Sequence, residues 1–194
     1  MRRVADIAWE GAKLHLGCGA KHLPSPPWVN ADGVEAPLIQ GRVCLSPDVV
    51  LDICHDLQAI PTASLIHVYW AHGPEHMHND LLPGILAELA RVLRPGGPLT
   101  LSTIDLTGIF HNSYEKGGSP QDWNAVLYGD AKSTDVPFMA HRQVFTYAWL
   151  AQLVREAGFG EVHPWALPQY PEIAALLDHS STSAPYSTFV EGVR

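Results

Sequence analysis

Apolar and polar positions along this chain fall into two textures that alternate from end to end. Short apolar runs rich in β-branched and aromatic residues occur at Lys13 to Leu16, Trp28 to Ala31, Val49 to Ile53, Leu65 to Ala71, Leu99 to Ile104, Glu161 to Trp165 and Ser187 to Val193. Each is read as a strand. Between them, apolar residues return every three or four positions. Ile85, Leu86, Leu89, Ala90 and Leu93 form one helical stripe, with Pro83 in the first turn, Arg91 and Arg94 near the end and Pro95-Gly96-Gly97 as the stop. A second helix is expected after Thr146, carrying Leu150, Val154 and Ala157 on one side and ending at Gly158. Strands alternating with helices predict a doubly wound α/β fold, a parallel sheet with helices on both faces. Ligands of such sheets bind beyond the carboxyl ends of the strands, where strand order reverses. The places to inspect are therefore Gly17 to Gly19, Asp32, Asp56, Ala71 to His76 and Asp105.

Composition narrows the picture. At 194 residues and 46% hydrophobic content, a single domain over 1–194 is expected. No apolar run approaches the roughly 18 residues of a membrane span, and Met1 to Ile7 lacks the apolar stretch of a signal peptide. A cytoplasmic protein without a membrane partner is the expectation. The net charge of −8, with 12 Lys plus Arg and no basic run, argues against nucleic acid as a partner. Cys18, Cys44 and Cys54 make no C-x-x-C pair and are read as reduced thiols.

Leu16-Gly17-Cys18-Gly19 follows the first strand, and two residues without Cβ atoms let the backbone turn tightly against a ligand. A dinucleotide fingerprint would place a third small residue where His22 stands, and a phosphate-gripping loop would need Gly-Lys-Ser/Thr. Asp32 suits two adjacent ribose hydroxyls; Asp56 suits an adenine amino group, with Leu57 against the ring. An NAD-linked oxidoreductase is the competing reading, and His22 speaks against it.

His72-Gly73-Pro74-Glu75-His76 matches H-x-x-E-H, a zinc-protease pattern. That chemistry needs both histidines on one helical face, and Gly73-Pro74 opposes a helix there. No metal is therefore expected from this motif.

The ordered pieces L-G-C-G (16–19), N-A-D (30–32), D-L (56–57), A-H-G-P-E-H (71–76), R-V-L-R-P-G-G (91–97), H-R-Q-V-F-T (141–146) and A-G-F (157–159) cover nearly the whole chain. Together they resemble the class I S-adenosylmethionine-dependent methyltransferases, most closely the small ones of cell-surface sugar and secondary-metabolite pathways. The resemblance implies a Rossmann-like, mostly parallel seven-stranded sheet with an antiparallel last strand. It also implies S-adenosylmethionine as cofactor, held by Leu16, Gly17, Cys18, Gly19, Asp32, Asp56, Leu57, Ala71 and His72, with the turn receiving the methionine part. The chain departs from the family pattern at His15, where an acidic residue is usual, and at Lys21, where many members have glycine.

Methyl transfer from a sulfonium is an in-line displacement in which the protein aligns the nucleophile and, for a hydroxyl, helps remove a proton. His72, His111, His141 and His76 are the catalytic candidates. The Gly/Ser/Pro-containing segment 105–140 suits a substrate-side lid, with Tyr114, Trp123 and Tyr128 facing a small-molecule acceptor and Arg142 either holding a substrate carboxylate or pairing with an internal acid. The same aromatics would equally serve a homodimer contact. After the fourth strand there is no Asn/Asp-Pro-Pro-Tyr to grip an amino group, so O-methylation of a metabolite or sugar is expected ahead of N-methylation. A domain of this fold that binds the cofactor or a partner without turnover is the remaining alternative.

Overall fold

Leu14 and Leu16 turn to one face of the first strand while His15 turns to the other, and this alternation builds two different layers around one sheet. The structure is a computed structural model that describes residues 3–19, 21–35, 38–39, 42–43, 46–119, 124, 126–129, 140–166, 169–177 and 186–194. Trp123 and Cys44 lie outside the described residues.

In chain order the strands are β1 (Lys13–Leu16), β2 (Trp28–Asp32), β3 (Leu38–Ile39), β4 (Arg42–Val43), β5 (Val49–Val50), β6 (His67–Ala71), β7 (Pro98–Ile104), β8 (Glu161–His163) and β9 (Ser187–Val193). Among the described residues, the helices include α1 (Leu82–Val92), α2 (Leu106–Ile109), α3 (Tyr147–Glu156) and α4 (Pro171–Leu177). Seven strands form the main sheet in the order β5-β2-β1-β6-β7-β9-β8, and β3 and β4 make a separate two-stranded hairpin. The pairs β1–β2, β1–β6, β2–β5 and β6–β7 are parallel; β9 runs antiparallel to both β7 and β8. The expected mostly parallel sheet with a reversed last strand is what the chain adopts.

The α1 stripe buries Ile85, Leu86, Leu89 and Ala90 against Leu14, Leu16, Val68 and Leu101 of the sheet. Each leucine contributes about 2 kcal/mol, an upper figure because the unfolded chain already hides some surface. Thr146 caps α3, its hydroxyl accepting from the Trp149 amide at 3.3 Å. The opposite face carries a second cluster of Leu23, Trp28, Tyr69, Trp165 and Ile173. Arg91 ties α1 to the loop after β5, donating to the carbonyls of Leu57 at 2.9 Å and Ile60 at 3.0 Å.

Two strands end earlier than the pattern-based reading. The third strand of the sheet stops at Val50 rather than Ile53, because the Asp52 carboxylate accepts from the Cys54 amide at 2.8 Å and its carbonyl from the Asp56 amide at 2.7 Å, which closes a turn. The run Glu161 to Trp165 is a strand only to His163, after which the Trp165 indole donates to the Leu101 carbonyl at 2.9 Å.

Candidate active site

Chain order leaves β1 for β2 and β5 on one side and returns to β6 on the other, so the crevice at the switch point opens between the ends of β1 and β6. Leu16 pairs with Trp70, which sets the glycine turn level with Ala71 across that crevice. Gly17 and Gly19 adopt φ of +62° and +52°, and nothing lies within 4 Å of a Cβ built on the exposed Gly17. That is an open lip of bare backbone. The turn is drawn onto β2, where the Gly19 amide donates to Asp32 Oδ2 at 2.9 Å and the Cys18 amide to the Ala31 carbonyl at 3.1 Å. Leu16 and Cys18 are buried, and the Cys18 thiol lies 3.5 Å from His22 Nε2.

Asp56 does not close a strand, contrary to the sequence reading. It precedes the 3₁₀ turn Leu57–Ala59, and its Oδ2 accepts from the Asp52 amide at 2.8 Å. Asp52 is the carboxylate that directly follows β5, and its pKa is lowered chiefly by the hydrogen bond from His55. Leu57 is buried in the main core.

His15, in the place of the family's acidic residue, faces away from the crevice. It stacks on Tyr69 at 5.0 Å and shares a hydrogen bond with Asn30 Oδ1 at 3.1 Å. Burial pushes its pKa down to about 4, so the position carries no charge near neutrality.

At the other lip, β6 ends in a strained turn. His72 adopts φ of +49°, a conformation that costs a non-glycine residue about 1 kcal/mol, and its amide continues the ladder to the Ser102 carbonyl at 2.8 Å. Gly73 must be glycine, since a Cβ there would come 1.8 Å from the Trp70 indole nitrogen. Pro74–His76 then forms one 3₁₀ turn, so His72 and His76 do not share a helical face. The turn is held from outside by Gln143, whose Nε2 donates to the carbonyls of Pro74 and Met77, both at 3.0 Å.

Glu75 lies fully buried at the centre of this turn. Its Oε1 is 2.9 Å from His72 Nδ1, and its Oε2 accepts from the Thr103 hydroxyl at 2.7 Å. Burial alone would raise the Glu75 pKa, yet His72, His76 and Thr103 together leave it below its ordinary value. Burial likewise depresses His72, but the hydrogen bond and charge of Glu75 prevail and its pKa is raised. His76 and His141 pack edge to face at 4.9 Å, and one ligand atom from each lies within 4.8 Å of a Glu75 oxygen. Sequence reasoning missed this convergence, because His141 arrives from the segment before α3 rather than from the motif itself.

The structure thus brings Ala71, His72, His76 and His141 together and leaves His111 apart, exposed on the π-helical turn Phe110–Tyr114 and paired with Glu115 at 2.7 Å. Tyr114 is exposed and stacks on Phe110 at 5.2 Å. Tyr128 is exposed, and its carbonyl accepts from the His141 amide at 3.2 Å. The Arg142 side chain is exposed while its amide donates to the Glu75 carbonyl at 2.7 Å. Asp105 caps α2 by accepting from the Thr107 amide at 3.1 Å.

This sheet order, with its reversed β9, is the fold of the class I S-adenosylmethionine-dependent methyltransferases. Solved structures bear this out. The chain is similar to a SAM-dependent methyltransferase from Archaeoglobus fulgidus at 13% identity and TM-score 0.59, covering 95% of this chain and 86% of that one. It is similar to an S-adenosylmethionine-dependent methyltransferase from Mesorhizobium loti at 14% identity and TM-score 0.54, covering 98% and 94%. No protein-family model matches the chain, and no curated protein matches it. Among the described residues, no helix is long and apolar enough to cross a membrane.

Proposed function

We propose that the chain is an S-adenosylmethionine-dependent methyltransferase acting on a small molecule, with oxygen of a metabolite or sugar as the favoured acceptor. The observation that carries this reading is the pairing of an open, positive-φ glycine turn on β1 with Asp32 on β2 inside a sheet whose last strand is reversed. A dinucleotide-binding sheet of the common order runs parallel throughout, so β9 favours the methyltransferase over the NAD-linked reading.

When bound, S-adenosylmethionine supplies a sulfonium methyl group open to in-line attack. The chain's own residues set the geometry. Gly17 and Gly19 admit the amino-acid part to the backbone, and the Asp32 carboxylate, with one oxygen on the Gly19 amide, retains lone pairs for two ribose hydroxyls. Asp52 and Asp56 border the adenine side, and Leu57 with its Arg91 tether keeps that loop in place. Ala71 and His72 stand level with the glycine turn on the opposite lip, which supports reading the Glu75, His76 and His141 cluster as the acceptor side. The helical segment from Leu106 to Tyr114, with the exposed Tyr114, and the exposed Tyr128 would cover the acceptor.

Titration calorimetry with S-adenosylmethionine, S-adenosylhomocysteine and NAD tests the assignment directly. Heat is expected with the first two and lost in Asp32→Ala; heat with NAD alone would reverse the choice. An acceptor screen reading S-adenosylhomocysteine separates turnover from binding without chemistry.

A further inference from the structure

From the cluster around Glu75 we infer a divalent-cation site, formed by Glu75, His76 and His141, that holds the acceptor's oxygen atoms. The inference rests on the methyltransferase reading for its purpose but not for its existence. One ligand atom from each residue lies within 4.8 Å of the others.

Tautomers make the arrangement specific. His76 Nδ1 lies 3.2 Å from the Ala140 carbonyl and His141 Nδ1 lies 2.8 Å from the Val126 carbonyl. A carbonyl only accepts, so each ring must place its N–H there, and each neutral imidazole is left with a bare lone pair on Nε2. Each neutral ring then has an Nε2 lone pair to offer a cation, beside the Glu75 carboxylate. A divalent cation would draw these donors together.

The outer contacts fit as well. Ligating histidines commonly donate their second N–H to a backbone carbonyl, and ligating carboxylates are themselves hydrogen-bonded. Both histidines here meet the first condition, and Glu75, held by His72 and Thr103, meets the second. Two imidazoles and one carboxylate suit zinc, cobalt, manganese or iron(II) better than calcium, and three protein ligands leave positions open for substrate. Binding would contract the ligand atoms to about 3.3 Å from one another, as metal–nitrogen distances near 2.0–2.1 Å demand.

The cation defines an acceptor class: two oxygens on neighbouring carbons, as in a vicinal diol, a catechol or an α-hydroxy acid. A metal-bound hydroxyl loses its proton to solvent water far more readily than a free one. The resulting oxyanion forms the new O–C bond, while the S–C bond breaks and its electron pair leaves on sulfur as neutral thioether. No further reactant is required.

The test is cobalt(II) binding to the purified, chelator-stripped protein, read by metal analysis after gel filtration and by visible d–d absorption. One cobalt per chain is expected, with affinity reduced at least about 10-fold in His76→Ala and in His141→Ala and unchanged in His163→Ala, which lies on β8. Thermal melts confirm that the variants fold. Should one of them not fold, zinc titration of the wild-type protein followed through its imidazole ¹⁵N shifts decides the same question, since two Nε2 resonances must move. Absence of retained cobalt, or retention indifferent to both substitutions, overturns the site. Calorimetry with S-adenosylmethionine on the same samples keeps the readings apart: cofactor heat without metal sinks only the cation site, and metal without cofactor heat sinks only the methyltransferase.

Discussion

Two groups of histidines occupy opposite environments in this molecule, and the contrast explains what each is for. His15 on β1 and His67 on β6 sit inside the aromatic layer of the sheet. His67 lies 5.0 Å from the Trp28 ring and 4.8 Å from that of Tyr170, with Nε2 3.0 Å from the Thr100 hydroxyl. Neither has a carboxylate in contact among the described residues, and desolvation pushes them to about 4 and about 3. His72, only partly buried with its side chain 36% exposed, touches Glu75 and is shifted upward instead. Burial by itself makes histidine an uncharged packing residue; burial against a carboxylate makes it part of an electrostatic unit. Histidine-rich composition therefore says little until each ring's partner is known.

The comparison breaks most visibly at Glu75. Glu75→Leu removes the carboxylate from His72 and the acceptor of Thr103, and a loss of about 3–5 kcal/mol is expected from denaturant unfolding. An unshifted midpoint would mean that the pair contributes nothing. Acid exposes the other group. Each folded-state pKa lies below that of the unfolded chain, so the stabilisation from neutral His15 and His67 is complete above about pH 6.5 and drains away as pH falls toward about 4 and about 3. At pH 5 the two together forfeit up to about 4 kcal/mol. A stability profile flat between pH 7 and 5 would contradict the assignment. His67→Phe sharpens it: about half of that acid loss, roughly 2 kcal/mol, should vanish, with stability at pH 8 changed by no more than about 1 kcal/mol. The smallest change in stability is expected for Asp32→Ala, about 1 kcal/mol for one hydrogen bond to Gly19, while its cofactor heat disappears.

Much of the fold was legible because it is local. The strand Ser187–Val193 matches its apolar run residue for residue, and α1 follows its stripe from the first turn at Pro83 to Val92. Boundaries slipped where side chains competed with the ladder, as at Asp52, whose carboxylate found the Cys54 amide within its own turn. The candidate site was legible in halves. The glycine turn and Asp32 announced themselves by type and position after a strand. The spacing H-x-x-E-H would put two histidines on one helix, but Gly73-Pro74 argued against that from sequence, and in the fold they turn His72 and His76 apart while His141 packs against His76.

By itself, the order of residues determined the strands of the main sheet, the helices α1 and α3, the tight bend after β1 and a net charge of −8. Those properties depend on neighbours a few positions away and on totals. Only the tertiary structure decided that His15 stacks on Tyr69 rather than serving the crevice, and that Glu75, His76 and His141 meet. Ionisation, tautomer and coordination depend on which groups stand within a few ångströms, and for these residues the partners come from distant parts of the chain.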